Sequence, residues 1–242
     1  MTPLNNFTLI GLPYAALGVF LIGTIYRYKA TKFSYSSLSS QFLEGRQLFW
    51  GSLPLHWGIL FLFFGHLVAF LVPKGLLAFN SHPVRLLIIE FSALVFGLIV
   101  LAGLVTLFVR RTTNARLKVV TTPLDLTIEI ILIVEVDIGL LVALFYRWGS
   151  SWFAAVLTPY LRSLLSFQPD ISGVASLPWL VKLHIIGAYL IFMMIPFSRL
   201  VHVLVAPLHY IWRPYQVVVW NWDRRRVRNP DNDWSATKPK NN

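Results

Sequence analysis

Leu55-His56-Trp57-Gly58-Ile59-Leu60-Phe61-Leu62-Phe63-Phe64-Gly65-His66 is a stretch without a charge and with two histidines ten residues apart. It lies inside a longer apolar run, 48–72, and about 20 such residues suffice to cross a bilayer. Four more runs of similar length occur at 7–26, 84–109, 125–146 and 178–205. The whole chain agrees with this reading: of 242 residues, 56% are apolar and 13% charged, with a mean hydropathy of +0.65. Soluble domains are about 25% charged, and one soluble core of this size cannot hide so much apolar surface. The composition therefore excludes an ordinary soluble domain and a disordered chain, and predicts an all-α membrane protein of five transmembrane helices in a bundle. The first run has no basic segment before it and no small-residue cleavage site, so it reads as a mature span rather than a signal peptide.

The net charge is +11. In a soluble protein such an excess would point to nucleic acid; in a membrane protein it follows from the enrichment of Lys and Arg on cytoplasmic loops, and no nucleic-acid partner is expected. Loop 27–47, loop 110–124 and the tail 206–242 together hold 15 of the 21 basic residues. The opposite side holds Lys74, Arg85, Arg147, Arg162 and Lys182. This asymmetry places the N-terminus outside and the C-terminus in the cytoplasm, as an odd number of spans requires. The expected organisation is a five-helix domain over 1–205, multi-pass in the cell (inner) membrane, followed by an interfacial and then polar tail over 206–242. Segment 147–177, with Trp148, Trp152, Phe153 and Tyr160, is expected to lie along the outer interface. The chain has no cysteine, which removes disulfides, iron–sulfur ligands, thiolate zinc sites and cysteine nucleophiles. Phosphate loops, dinucleotide fingerprints and H-E-x-x-H are absent as well.

Six histidines occur. His82 and His209 fall at membrane edges, His56 and His66 in the second run, His184 and His202 in the fifth. An ionisable residue inside a span is a functional candidate by default. The second and fifth spans are antiparallel, so the first histidine of one shares a depth with the last of the other: His56 with His202 nearer the cytoplasm, His66 with His184 nearer the outside. Two depth-matched pairs on facing helices suit two b-type haems, each iron held by two imidazoles. Such ligation leaves no open position and favours electron transfer. On straight helices the intervals differ: 18 residues rise about 27 Å and 10 residues about 15 Å, a mismatch of roughly 12 Å left to tilt and side-chain reach. Lone histidines bonded to a neighbouring helix, or a proton relay in a small transporter, are the alternatives. Gly58, Gly65 and Gly187 would let a flat macrocycle approach the backbone, or would serve ordinary close helix contacts.

The stretch 55–66, K-L-H-I-I-G at 182–187 and P-F-S-R-L-V-H-V-L-V-A-P at 196–207 resemble the gamma subunit of membrane-bound respiratory nitrate reductases, a five-helix cytochrome b. Weaker support comes from R-Y at 27–28, R-R at 110–111, T-T-P-L-D at 121–125 and P-Y-Q at 214–216. The resemblance implies that His56 and His202 ligate an inner haem and His66 and His184 an outer one. It further implies quinol oxidation near the outer haem, with electrons passing to an iron–sulfur subunit and a molybdenum catalytic subunit on the cytoplasmic side. Arg85 stands where the family has a lysine serving the quinol site. An arginine can bond a quinone oxygen but does not give up its proton readily. Glu90 is a candidate proton acceptor for quinol, or a partner of Arg85. Arg199, Arg111 and Arg110 are candidates for haem propionates, because Arg pairs carboxylates bidentately. The fourth span departs from the family in carrying Glu129, Glu135 and Asp137 in addition to Asp125. These acids leave room for a related nitrite-oxidising complex that runs electrons the other way.

Overall fold

The computed structural model describes residues 2–30, 40 and 43–205. The expected tail, 206–242, and most of the first basic loop lie outside the described residues, as does His209. Five long helices carry the described chain, and no strand occurs among the described residues. Helix α1 is Pro3–Ala30, wound more loosely as a π-helix over Phe7–Gly11. Then come α2 (Arg46–Leu71), α3 (Pro83–Thr113), α4 (Pro123–Phe145) and α5 (Trp179–Met194). Proline stands in the first turn of α3 and of α4, where its missing N–H is not needed. At α4 a reciprocal cap adds to this: the Asp125 N–H donates to the Thr122 hydroxyl, and the Thr122 N–H to the Asp125 carboxylate.

Helices α1, α2, α3 and the α5 segment Trp179–Phe197 are long and apolar enough to cross a membrane. Helix α4 has 23 residues, about 35 Å at 1.5 Å per residue, but its four carboxylates set it apart from the others. The buried residues of α2 are Gly51, Gly58 and Ala69, whereas Trp50, Trp57, Phe63 and Phe64 are exposed. Small residues turned inward and large apolar ones outward suit close helix packing with an apolar surround. Thus Gly58 is filled by α3, where a Cβ would meet Val100 and the Phe96 carbonyl, while Gly65 has open space around it.

Packing runs α2 on α3, α3 on α4, α4 on α5 and α5 on α1. Helices α2 and α5 have no extended contact with each other. The densest core ties α1, α4 and α5 to the connection after α4: Leu9, Val142, Leu157, Tyr160, Val174, Val181 and Ile185 pack together. Tyr160 donates its hydroxyl to the Leu9 carbonyl, which the π-turn leaves accessible, at 2.8 Å.

One expectation fails. The fifth apolar run is not a single helix from 178 to 205. It stops at Met194, tightens to a 3-10 turn over Ile195–Phe197, goes extended at Ser198 and resumes as a 3-10 turn over Arg199–Val205. Pro196 supplies no N–H and crowds the carbonyl four residues back. Arg27 of α1 secures the break by donating to the carbonyls of Pro196 at 2.7 Å and Ser198 at 2.9 Å. The 27 Å interval between His184 and His202 presupposed an unbroken helix, so the mismatch with α2 does not arise in that form.

Candidate functional site

The break brings His202 to α2. The rings of His56 and His202 face each other with centroids 6.0 Å apart and planes at 58°. Each ring is held by its Nδ1. In His56 this atom lies 2.7 Å from the Ser52 carbonyl, and in His202 2.6 Å from the Arg199 carbonyl. A carbonyl only accepts, so Nδ1 carries the proton in both rings and Nε2 is left with its lone pair. The interval of four residues places the Ser52 carbonyl beneath the His56 ring on a regular helix. In His202 the 3-10 turn supplies the carbonyl from three residues back.

At the other end, His66 Nδ1 donates to the Leu62 carbonyl at 2.7 Å. Phe153 meets the His66 ring edge-on at 5.3 Å. His184 differs from the other three: its Nδ1 is 2.9 Å from Oε1 of Glu135 on α4. The ring lies against α4 at Gly139, where a Cβ would come within 2.9 Å of its Cε1. Of the two pairs predicted from the sequence, the structure brings His56 and His202 together; the close neighbours it gives the other two are Phe153 for His66 and Glu135 for His184.

The donor set fits b-type haem iron. A metal–imidazole bond is about 2 Å, so two imidazoles on opposite sides of one ion put their ring centroids about 6 Å apart. The His56–His202 separation meets this. Orientation of a ligating ring through its other nitrogen is the usual support for a metal-bound histidine. All four histidines would hold iron through Nε2.

The arginines cluster near His202, and carboxylates already engage them. Arg199 clamps Asp125 with two N–H groups, one of them at 2.9 Å. Arg111 pairs with Glu129 at 2.8 Å and approaches Asp125 at 3.6 Å. Arg110, 2% exposed, binds the Glu44 carboxylate at 2.6 Å together with the Ser40 and Glu44 carbonyls. Burial pushes the Glu44 carboxyl up, but the N–H groups of Gln47 and Leu48 and the Arg110 guanidinium together hold it below the usual range. A cavity of about 250 Å³ is lined by Ser40, Leu43, Arg110, Arg111, Leu117, Val120 and Arg199.

Arg85 and Glu90 are not partners. The exposed Arg85 lies over the Phe79 ring, 5.5 Å from its centroid. Glu90 accepts from the N–H groups of Gly149 and Ser150 and from the Ser150 hydroxyl, at 3.1, 2.9 and 2.6 Å. Trp148 presents those amides by adopting a left-handed conformation, φ 67°, a strained state for a bulky residue.

The family profile described as nitrate reductase gamma subunit matches residues 5–221. The chain belongs to the nitrate reductase gamma subunit family. It is 34% identical to the nitrate reductase gamma chain of Bacillus subtilis, over 85% of this chain and 94% of that one. It is also 34% identical to the respiratory nitrate reductase 2 gamma chain of Escherichia coli, over 89% and 96%. A nitrate reductase-like protein of Mycobacterium tuberculosis is 28% identical over 84% of this chain but only 32% of its own length.

Sequence reasoning about this gamma chain missed a contact. It singled out Glu135 as an unexplained acid without finding His184, which lies 49 positions away on another helix. Of the two readings open for Gly187, room for a macrocycle or a close helix contact, the structure supports the second: the space a Cβ would take there is filled by Glu135 Oε2. The surviving signal was chemical: an acid at that depth requires a partner.

Proposed function

We propose that this chain is the membrane anchor and electron conduit of a respiratory nitrate reductase, multi-pass in the cell membrane, with α4 as its fifth span. In this reading the N-terminus is outside and the C-terminus cytoplasmic. His56 and His202 hold the inner haem iron, and His66 and His184 the outer one. The observation that carries it is the His56–His202 pair: facing rings at 6.0 Å, each with Nδ1 committed to a carbonyl and Nε2 left to bind metal. Bound between these pairs, two b-type haems supply one-electron carriers at two depths of the membrane.

The remaining steps fall to the chain's own side chains. Quinol oxidation belongs at the His66 end, where the exposed Arg85 offers a fixed cation to a quinone oxygen. Glu90 holds the Trp148–Ser150 turn against α3, ahead of the segment that carries Phe153 to His66; its carboxylate is also the candidate acceptor for a quinol proton. At the other end Arg199 and Arg111 stand where haem propionates would add to the carboxylates they already bind. Electrons leave on the cytoplasmic face to an iron–sulfur subunit and a molybdenum catalytic subunit.

Against the transporter alternative, Asp125, Glu129 and Glu135 each have a basic partner inside the fold, which leaves Asp137 as the one acid of α4 on an exposed face. A reduced-minus-oxidised visible spectrum of the purified chain, with haem extraction, tests the proposal. Two b-type haems per chain, both reduced by a quinol analogue, are expected; one haem or none overturns it. Reduction through the partner by nitrite rather than by quinol would instead assign the chain to a nitrite-oxidising complex.

A further inference from the structure

We infer that Glu135 is a positioning residue for His184 and sets the outer haem apart from the inner one by placing a carboxylate on the distal nitrogen of one of its ligands. Three of the four candidate ligands rest Nδ1 on a backbone carbonyl: Ser52, Leu62 and Arg199. His56 Nδ1 has the neutral Ser52 hydroxyl at 3.1 Å as well, and only His184 has its Nδ1 against a carboxylate, at 2.9 Å. Glu135 Oε1 and His184 Nδ1 are both buried and neither makes a hydrogen bond, so the 2.9 Å ion-pair approach is the polar contact the structure gives them. Glu135 is 8% exposed.

The site is built from two helices. Glu135 reaches α5 because position 187, three residues beyond His184, is glycine; a Cβ there would collide with Oε2 and the carboxyl carbon. Gly139, one turn beyond Glu135 on α4, lets the His184 ring lie against the α4 backbone. A larger residue at either glycine would separate the carboxylate from the ring. A full negative charge on the far nitrogen makes the imidazole a stronger donor than a carbonyl dipole does. A stronger donor favours the higher charge on iron, and the hydrogen bonding of axial ligands is one of the protein's levers on haem potential. The outer haem is therefore pushed toward lower potential, which favours passing its electron inward. This inference rests on His184 being an outer-haem ligand.

The test is redox titration of both haems in wild type and in Glu135→Gln, using the holoprotein with both haems counted. Glutamine keeps an oxygen acceptor for Nδ1–H and removes only the charge. The outer haem should rise by about a tenfold shift in its oxidised-to-reduced ratio, about 59 mV for one electron, while the inner haem is unmoved. Gly187→Ala, which displaces the carboxylate but keeps its charge in the protein, should shift the same haem the same way. It also serves as the test if Glu135→Gln does not assemble. An unchanged outer potential in a variant that retains two haems overturns the inference and leaves the two-haem proposal standing. Absence of haem from the wild-type chain would overturn that proposal itself.

Discussion

The two histidine pairs use the same four side chains of one type but are supported differently. At the His56–His202 end both Nδ1 atoms bond carbonyls of their own turn, and the nearby charges cancel in buried ion pairs between Arg199, Arg111 and the first turns of α4. At the His66–His184 end one ring rests on a carbonyl, the other faces Glu135, and aromatic residues replace the ion pairs. A carbonyl partner comes with the helix and cannot be changed without unwinding it. A carboxylate partner is a separate choice, so identical ligand sets can differ in donor strength through one residue. The first end is organised by local backbone, the second by a contact between helices.

The largest expected effect separates the ends outright. His66→Ala should remove the outer haem and quinol oxidation together. His56→Ala should leave the outer haem reducible by quinol while stopping transfer to the partner subunits; stopped-flow absorbance in the assembled complex reads both. Loss of quinol-dependent reduction in both variants would erase the distinction. The next effect is structural. Arg199→Ala leaves the buried Asp125 carboxylate with the Thr122 N–H and, for its charge, the longer contact to Arg111. Breaking a buried ion pair costs roughly 3–5 kcal/mol, and with Arg111 still near we expect about 2 kcal/mol, read as lower thermal stability. The inner haem should be lost first, because the Arg199 side chain ties to α4 the turn whose backbone carbonyl orients His202. Preferential loss of the outer haem would contradict this.

The smallest effect concerns pH. The Glu44 carboxyl is held below its ordinary value, so its tie to Arg110 stabilises the fold fully above an unperturbed glutamate pKa of about 4.3 and fades as pH falls through the lowered folded value. The protection of the Gln47 and Leu48 amides against hydrogen exchange, relative to their intrinsic rates at each pH, should fall on acidification through that range. The Tyr160–Leu9 contact at the far end, which involves no carboxylate, should not respond.

The helices were legible because apolar runs record membrane length directly: 48–72 became Arg46–Leu71 and 84–109 became Pro83–Thr113. The pairing of His56 with His202 was legible from antiparallel order alone. The break in the fifth run was not, because apolar composition continues through it. Proline by itself was an ambiguous signal, since Pro54 sits within α2 without ending it. What ends α5 is the extended Ser198 and the Arg27 guanidinium that satisfies the freed carbonyls from 169 and 171 positions away. Of the two roles open to Glu90, the pairing with Arg85 fails for a similar reason. Its proximity to Arg85 in sequence suggested a pair, but the strained turn at Trp148 offers it amides from 59 and 60 positions away. Contacts within one turn could be inferred from spacing, whereas contacts between helices required the fold.

The pairing of histidines by depth is the central claim, and single substitutions at all four test it most directly. Haem bands resolved by redox titration should show that His56→Ala and His202→Ala lose one and the same component, and that His66→Ala and His184→Ala lose the other. If His56→Ala and His184→Ala removed the same component instead, the antiparallel pairing would be wrong.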